Sequence, residues 1–398
     1  MKRNPSTEKG QKNTVIRTDT VMDLIWLIRC ALSRTKPDVE RVAGMDQQKL
    51  YKLSAWHSLD ALVGTAMSGA GDGTGAGAME KRWKAAVDQA VRRTALFDAE
   101  RSEFLRFMEE NGIWYMPLKG VVLKDLYPHY GIRQMSDNDI LFDVRHAEKV
   151  RDWFRGRGYK VKKYALGVHD TYLKEPIYNF EMHRTLFSPS KETWYAYYAN
   201  VKERLIKDEG NGCGFHFTDE DFYVYFFAHA VKHYKGGGTG LRMLVDLYLY
   251  ASKKTDLDWS YIERELKKLG LMESEKEMRE LAATLFSGDT YLSEQALSPR
   301  QRELLSGIVS SGTYGTVETQ VGNKLERYTK EKKITGKTRL KLHYLRERFF
   351  PTTPEHREYY AFYYQHWWGR PLLLFVRFVK LLINRKRVKK EFEALRRF

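Results

Sequence analysis

Apolar residues Val21, Leu24, Ile25, Ile28 and Leu32 recur at the spacing of one helical face, so "TVMDLIWLIRCALS" predicts an amphipathic helix. A second helix is expected over "DQQKLYKLSAWHSLDALVGTAM". The Ala-, Arg- and Glu-rich stretch from Glu80 to Asn111 predicts a third, ended by Gly112. The period then changes. "IWYMPL" (113–118) reads as a strand, "VVLKDLY" as a short helix and "DNDILFDV" as a second strand. "HAEKVRDWFRGRG" reads as a helix closed by Gly158, and "YKVKKYAL" and "PIYNFEMHRTLF" (176–187) as two more strands. That order predicts a small mixed sheet covered by helices, an α+β fold. From about Thr218 the pattern is helical to the end. The expected organisation is a flexible basic tail over 1–18, an N-terminal helical segment over 19–111, an α/β core over 112–217, and a C-terminal helical domain with a basic tail over 218–398. "SGAGDGTGAGAM" lacks a following Lys-Ser/Thr and a preceding strand, so it is expected to be a flexible turn rather than a phosphate loop.

Composition narrows the partners. The 398 residues carry a net charge of +17, which favours polyanions such as nucleic acid, nucleoside triphosphates or an anionic membrane surface. Aromatic residues make up 14% of the chain, which excludes a disordered composition. Cys30 and Cys213 define neither a disulfide framework nor a zinc cluster, so a reducing compartment is expected. The first apolar run contains Asp23 and Arg29 and is no secretory signal. No stretch reaches the roughly 18 to 20 uninterrupted apolar residues of a spanning helix. The expected location is the cytoplasm, with peripheral membrane contact as a variant of it.

The chemistry concentrates in "MPLKGVVLKDLYPHYGIRQMSDNDILFDV" (116–144). Alternation along a strand places Asp137 and Asp139 on one face. Two close carboxylates repel unless a cation lies between them, and Mg²⁺ prefers such oxygen ligands together with phosphate. A D-x-D pair also occurs at solvent-facing strand ends; here the following Ile140, Leu141 and Phe142 suit a core. In "YNFEMHRTLF" the alternation sets Asn179, Glu181 and His183 on the face opposite Tyr178, Phe180 and Met182. Glu181 supplies a third carboxylate if its strand lies beside that of Asp137 and Asp139; otherwise it faces solvent. Lys119-Gly120 stands where a strand gives way to a helix. The free N–H groups of a helix start meet anions, Gly120 allows close approach, and Lys119 or Arg133 can neutralise phosphate charge. Together these make a nucleoside triphosphate site open to attack on the α-phosphate.

"LKGVVLKDLYPHYGIRQMSDNDILF" resembles the signature of an uncharacterised nucleotidyltransferase family in the DNA polymerase β-like superfamily: Leu-Lys-Gly, Tyr-Pro, Arg, then Asp-x-Asp-Leu-Leu. "FEMHRTL" is similar to its later Glu-x-His strand, and "HAVKHYKGGGTGLRMLVDLYLY" to its helical His, Arg and Asp segment. The resemblance implies a polymerase β-like sheet in which Asp137, Asp139 and Glu181 are catalytic and bind Mg²⁺, with Mn²⁺ an alternative. Lys119, Gly120, Arg133, Ser136 and His183 are its expected substrate contacts. Better-studied members of the superfamily have Gly-Ser where Lys119-Gly120 stands. The implied reaction moves a nucleoside monophosphate from an NTP to a hydroxyl or phosphate acceptor and releases pyrophosphate. The alternative is a catalytically silent nucleotide- or nucleic-acid-binding scaffold of the same fold.

His229 and His233 lie on one helical face, but Ala230 stands where a zincin has Glu. They are expected to be packed polar residues bonding Asp246, ahead of a contact to nucleotide or a metal. Arg242 and Asp246, four apart, are expected to pair. The closing segment mixes aromatics with base, and residues 384–398 hold seven Lys/Arg and two Glu. A core-packing helix with a solvated tail, an interfacial helix on an anionic membrane, and an RNA contact are its three readings.

Overall fold

The computed structural model describes residues 18–69, 77–210, 212–350 and 360–398. The predicted basic tail, apart from Thr18, and the centre of the glycine-rich stretch lie outside the described residues.

Helix α1 (Thr18–Ser33) buries the predicted stripe of Val21, Leu24, Ile25 and Ile28, and also Met22, Trp26 and Leu27 on its other sides. It is therefore a core helix rather than a half-exposed one. Then come α2 (Val39–Ala43), α3 (Gln47–Trp56), α4 (Asp60–Gly69) and the 34-residue α5 (Gly77–Glu110). The single helix expected over α3 and α4 is broken, because Ser58 takes a positive φ of 53° and ends the turn. The break lets the buried His57 ring accept the Leu241 N–H at 3.2 Å.

The sheet is built from β1 (Tyr115–Pro117), β2 (Asn138–Phe142), β3 (Lys160–Lys163), β4 (His169–Lys174) and β5 (Tyr178–His183), in the order β1-β2-β5-β4-β3. Between β1 and β2 lies the single-turn helix α6 (Gly120–Leu123); α7 (Ala147–Gly156) links β2 to β3. Strand β4 was not anticipated. It turns back on β5 as an antiparallel partner, whereas β2 and β5 run parallel. One face of the sheet, with Ile140, Phe142, Phe180 and Met182, packs on Phe104 and Met108 of α5 and Val150 and Phe154 of α7. Phe154 stacks on Tyr172 with ring centroids 4.2 Å apart. Truncating so enclosed an aromatic side chain costs about 3–5 kcal/mol.

The remaining elements are α8 (Glu192–Tyr197), a hairpin of β6 (Leu205–Lys207) and β7 (Phe215–Phe217), and then helices, as expected from about Thr218. These include α9 (Asp219–Gly236), α10 (Gly240–Lys253), α11 (Trp259–Lys268), α12 (Met272–Phe286), α13 (Pro299–Ser311), α14 (Val317–Lys332) and α15 (Lys337–Phe349). The opposite face of the sheet, with Met116 and Leu141, and Leu118 just after β1, join one large apolar cluster containing Leu24, Tyr225, Leu244, Leu281 and Leu305. This apolar cluster draws on residues from both sides of positions 111 and 217. A smaller cluster of Val321, Leu325, Tyr328, Tyr344 and Leu395 holds the C-terminal helices together.

Candidate active site

The two parallel strands settle the adjacency that alternation alone left open. Asp139 on β2 lies directly opposite Glu181 on β5, and Leu141 opposite His183. Asp137 is the residue immediately before β2, in the segment that leads into it. Glu181 and His183 share a strand face, so the register brings both to Asp139. His183 Nε2 is 2.8 Å from Asp139 Oδ1 and 4.0 Å from Glu181 Oε2.

Lys119 enters from the other side. The Leu118 N–H donates to the Asp139 carbonyl at 2.9 Å, which pins the turn against β2. Lys119 itself has φ 51° and ψ −117°, a region that favours glycine and that a side chain enters only at a cost. Its ammonium donates to Asp139 Oδ1 at 2.5 Å and lies 3.3 Å from His183 Nε2. The amides of Val121, Val122 and Leu123 are taken up by the Leu118 and Lys119 carbonyls, so this turn leaves fewer N–H groups open to an anion than a free helix start.

Electrostatics sort the groups. Burial works against the Asp139 carboxylate, but Lys119 and His183 outweigh it and hold its pKa far below the usual range. Burial and the Asp139 charge push Asp137 up to about 6, against the pull of Lys119 and a hydrogen bond from Ser136. Burial, Asp139 and Asp137 push Glu181 up to about 8. Burial opposes the Lys119 charge, yet Asp139, Asp137 and Glu181 together keep it firmly protonated. Burial and the Lys119 charge lower His183 to about 4, so its ring is neutral. At neutral pH this leaves two carboxylates, one ammonium and a protonated Glu181 in a small buried space.

Several neighbours were not foreseen. His169, on the unanticipated β4, lies opposite His183, with Nε2 3.6 Å from Glu181 Oε1. His169, Glu181 and His183 each offer a ligand atom within 4.8 Å of one another. The Nδ1 atoms of His169 and His183 are buried and have no hydrogen-bond partner among the described residues. On α9, Tyr225, His229 and Lys232 lie at i, i+4 and i+7, a spacing visible in the sequence. Burial and the Lys119 charge lower Lys232 to about 8, while Asp139 and Glu181 raise it.

Other expectations are redirected. Both Asp246 oxygens are taken by Arg133, at 2.7 and 2.8 Å, and the Tyr127 hydroxyl donates to one of them at 2.8 Å. The planar guanidinium fits the carboxylate with two parallel bonds. The expected Arg242–Asp246 pair is therefore replaced: Arg242 donates to the Gln134 carbonyl at 2.8 Å. His229 and His233 bond each other at 3.1 Å rather than Asp246. Arg133 Nη1 explains Gly120, since a Cβ there would meet it at 2.6 Å. Asp143 turns away to cap the next turn and pair with Arg145.

A mixed sheet with a buried carboxylate cluster at adjacent parallel strands, flanked by lysine and imidazole, defines the class as an α+β protein with a polar site capable of holding a cation. The family model described as uncharacterised nucleotidyltransferase matches residues 43–287, and the chain belongs to that family. No curated protein and no solved structure matches it.

Proposed function

We propose that this protein is a divalent-cation-dependent nucleotidyltransferase with a polymerase β-like sheet. It would move a nucleoside monophosphate from an NTP to a hydroxyl or phosphate acceptor and release pyrophosphate. The observation that supports this best is the register of β2 and β5, which sets Glu181 opposite Asp139, with Asp137 two residues before it. Three carboxylates suit Mg²⁺, and imidazoles within reach of Glu181 suit Mn²⁺ as well. A cation held by Asp137, Asp139 and Glu181 would neutralise charge that develops on the triphosphate. The chain's own groups do the rest. Asp139 anchors the Lys119 ammonium, which stands ready to meet a phosphate oxygen. Neutral His183 gives its one N–H, at Nε2, to Asp139 and so helps hold that carboxylate in place. Ser136 orients Asp137, and Gly120 leaves room beside Arg133.

The test is pyrophosphate release from each of the four triphosphates, with Mg²⁺ and with Mn²⁺, followed by a screen with α-labelled nucleotide for label on protein, RNA and small molecules. Asp137→Ala and Asp139→Asn are expected to lower turnover by about 10³-fold or more; Asp139→Asn should also lower the melting temperature, because it leaves the buried Lys119 ammonium without its carboxylate. Triphosphate binding without pyrophosphate release in the parent protein would instead identify a silent nucleotide-binding scaffold.

A further inference from the structure

The helix Gly369–Ile383 is built inside out. Its buried positions are Gly369, Leu373 and Arg377, while Leu372, Leu374, Phe375, Phe378, Leu382 and Ile383 are exposed. Phe375 is 64% exposed, Ile383 75%, and Trp367 just before the helix 91%. Leu374, Phe375, Phe378 and Leu382 follow helical spacing, so they form one stripe. A helix that faced water would turn Arg377 outward and this stripe inward.

The charge around the stripe has one sign. Residues 360–390 contain eight Lys or Arg and no Asp or Glu. Beside the helix lies a cavity of about 530 Å³, lined by seven Lys or Arg side chains against Glu347 and Glu391. Both glutamates are already paired, Glu347 with Lys332 at 2.5 Å and Glu391 with Arg348 at 2.8 Å. Arg377 lines the same cavity and is nine-tenths buried. It donates to the Arg348 carbonyl at 2.6 Å, and its Nε has no hydrogen-bond partner among the described residues. It also meets Tyr360, yet this buried cation has no carboxylate partner among the described residues.

We infer that this face docks on an anionic lipid bilayer: the apolar stripe and Trp367 enter the boundary between headgroups and acyl chains, and the basic cavity takes a lipid phosphate at Arg377 and Lys380. A second copy of the chain is disfavoured as the occupant, because it would set two positive surfaces face to face. The helix has 15 residues, about 22 Å at the α-helical rise, against a hydrocarbon core of about 30 Å. No helix among the described residues is long and apolar enough to cross a membrane. The helix therefore lies in the plane of the interface, in the manner of basic amphipathic helices. This inference is independent of nucleotidyl transfer.

The test is co-sedimentation of the full chain with vesicles of phosphatidylcholine alone and of phosphatidylcholine with phosphatidylglycerol. Binding is expected to the anionic vesicles only, and to fall as salt rises. Phe375→Ser with Phe378→Ser should weaken it roughly tenfold or more at unchanged melting temperature, since both side chains are exposed. Lys380→Gln should weaken it about fivefold. Equal binding to neutral vesicles, no binding to either, or full binding by the double serine variant would each overturn the inference. So would a dimer that the serine pair dissociates, or RNA that binds the same face while vesicles do not.

Discussion

Glu181 is the residue whose protonation reports on the site. Its folded pKa of about 8 lies above the ordinary 4.5, so the folded chain keeps a proton that the unfolded chain has lost. Its contribution to stability is therefore present at low pH and falls as pH rises from about 4.5 to about 8. The buried histidines act in the opposite sense: His169 at about 3 and His183 at about 4 are neutral when folded, so stability is lost as pH falls from about 6.5 toward 4. Between pH 7 and 8 the histidines are largely neutral in both states; Glu181 makes stability fall with pH there, while Lys232, lowered to about 8 from the ordinary 10.5, makes it rise. Glu181→Gln is expected to remove that fall and to raise stability of the metal-free protein at pH 8 by on the order of 1–3 kcal/mol, measured by denaturant unfolding across pH. It should also shrink the stabilisation that Mg²⁺ gives. Much of this site was legible. Asp137, Asp139, Glu181 and His183 follow from period-two alternation, which fixes faces locally. His169 was not, because its short strand sits between Gly167 and Pro176 with little apolar pattern to reveal it. The unusual backbone of Lys119 was hidden too, since φ depends on what the side chain is held against rather than on its own sequence.

At the scale of elements, the loop before β2 is tied to α10 by the buried Arg133–Asp246–Tyr127 group. The sequence marked Arg133 as a phosphate contact because its type and place fit one; its partner lies 113 residues away, beyond any local pattern. Arg133→Gln is expected to destabilise the fold by about 3–5 kcal/mol, because it leaves the Asp246 carboxylate buried without its charge partner. Replacing both residues with apolar ones should recover much of that loss, read as a double-mutant cycle in chemical denaturation. If Arg133 acted only on nucleotide, the single variant would melt like the parent. The helical elements were legible for a different reason: a period of 3.6 sustained over many residues is hard to mistake, whereas the three-residue β6 and β7 are too short to carry a period and β4 opens on three polar residues, His169, Asp170 and Thr171.

On the scale of the whole molecule, the proposed function has the net charge of +17 and the acid-lined site act together on a triphosphate with its cation. Mg²⁺ with a non-hydrolysable triphosphate should stabilise the chain by about 2.7 kcal/mol at a hundredfold excess over Kd, seen as a higher Tm. Either ligand alone should give less, and association should slow as ionic strength rises. The same scale shows what the continuous apolar cluster means for inheritance. Leu24 of α1 and Leu305 of α13 share that cluster with Met116 and Leu141 of the sheet, yet Leu24 and Leu305 lie outside the 43–287 span by which the family is recognised. The recognisable span is thus a signature rather than a portable unit. Shuffled alone into another gene, the span would arrive without α1 and α13, which pack on α4, α10 and α12 in that cluster, so it is expected to fold only in their company.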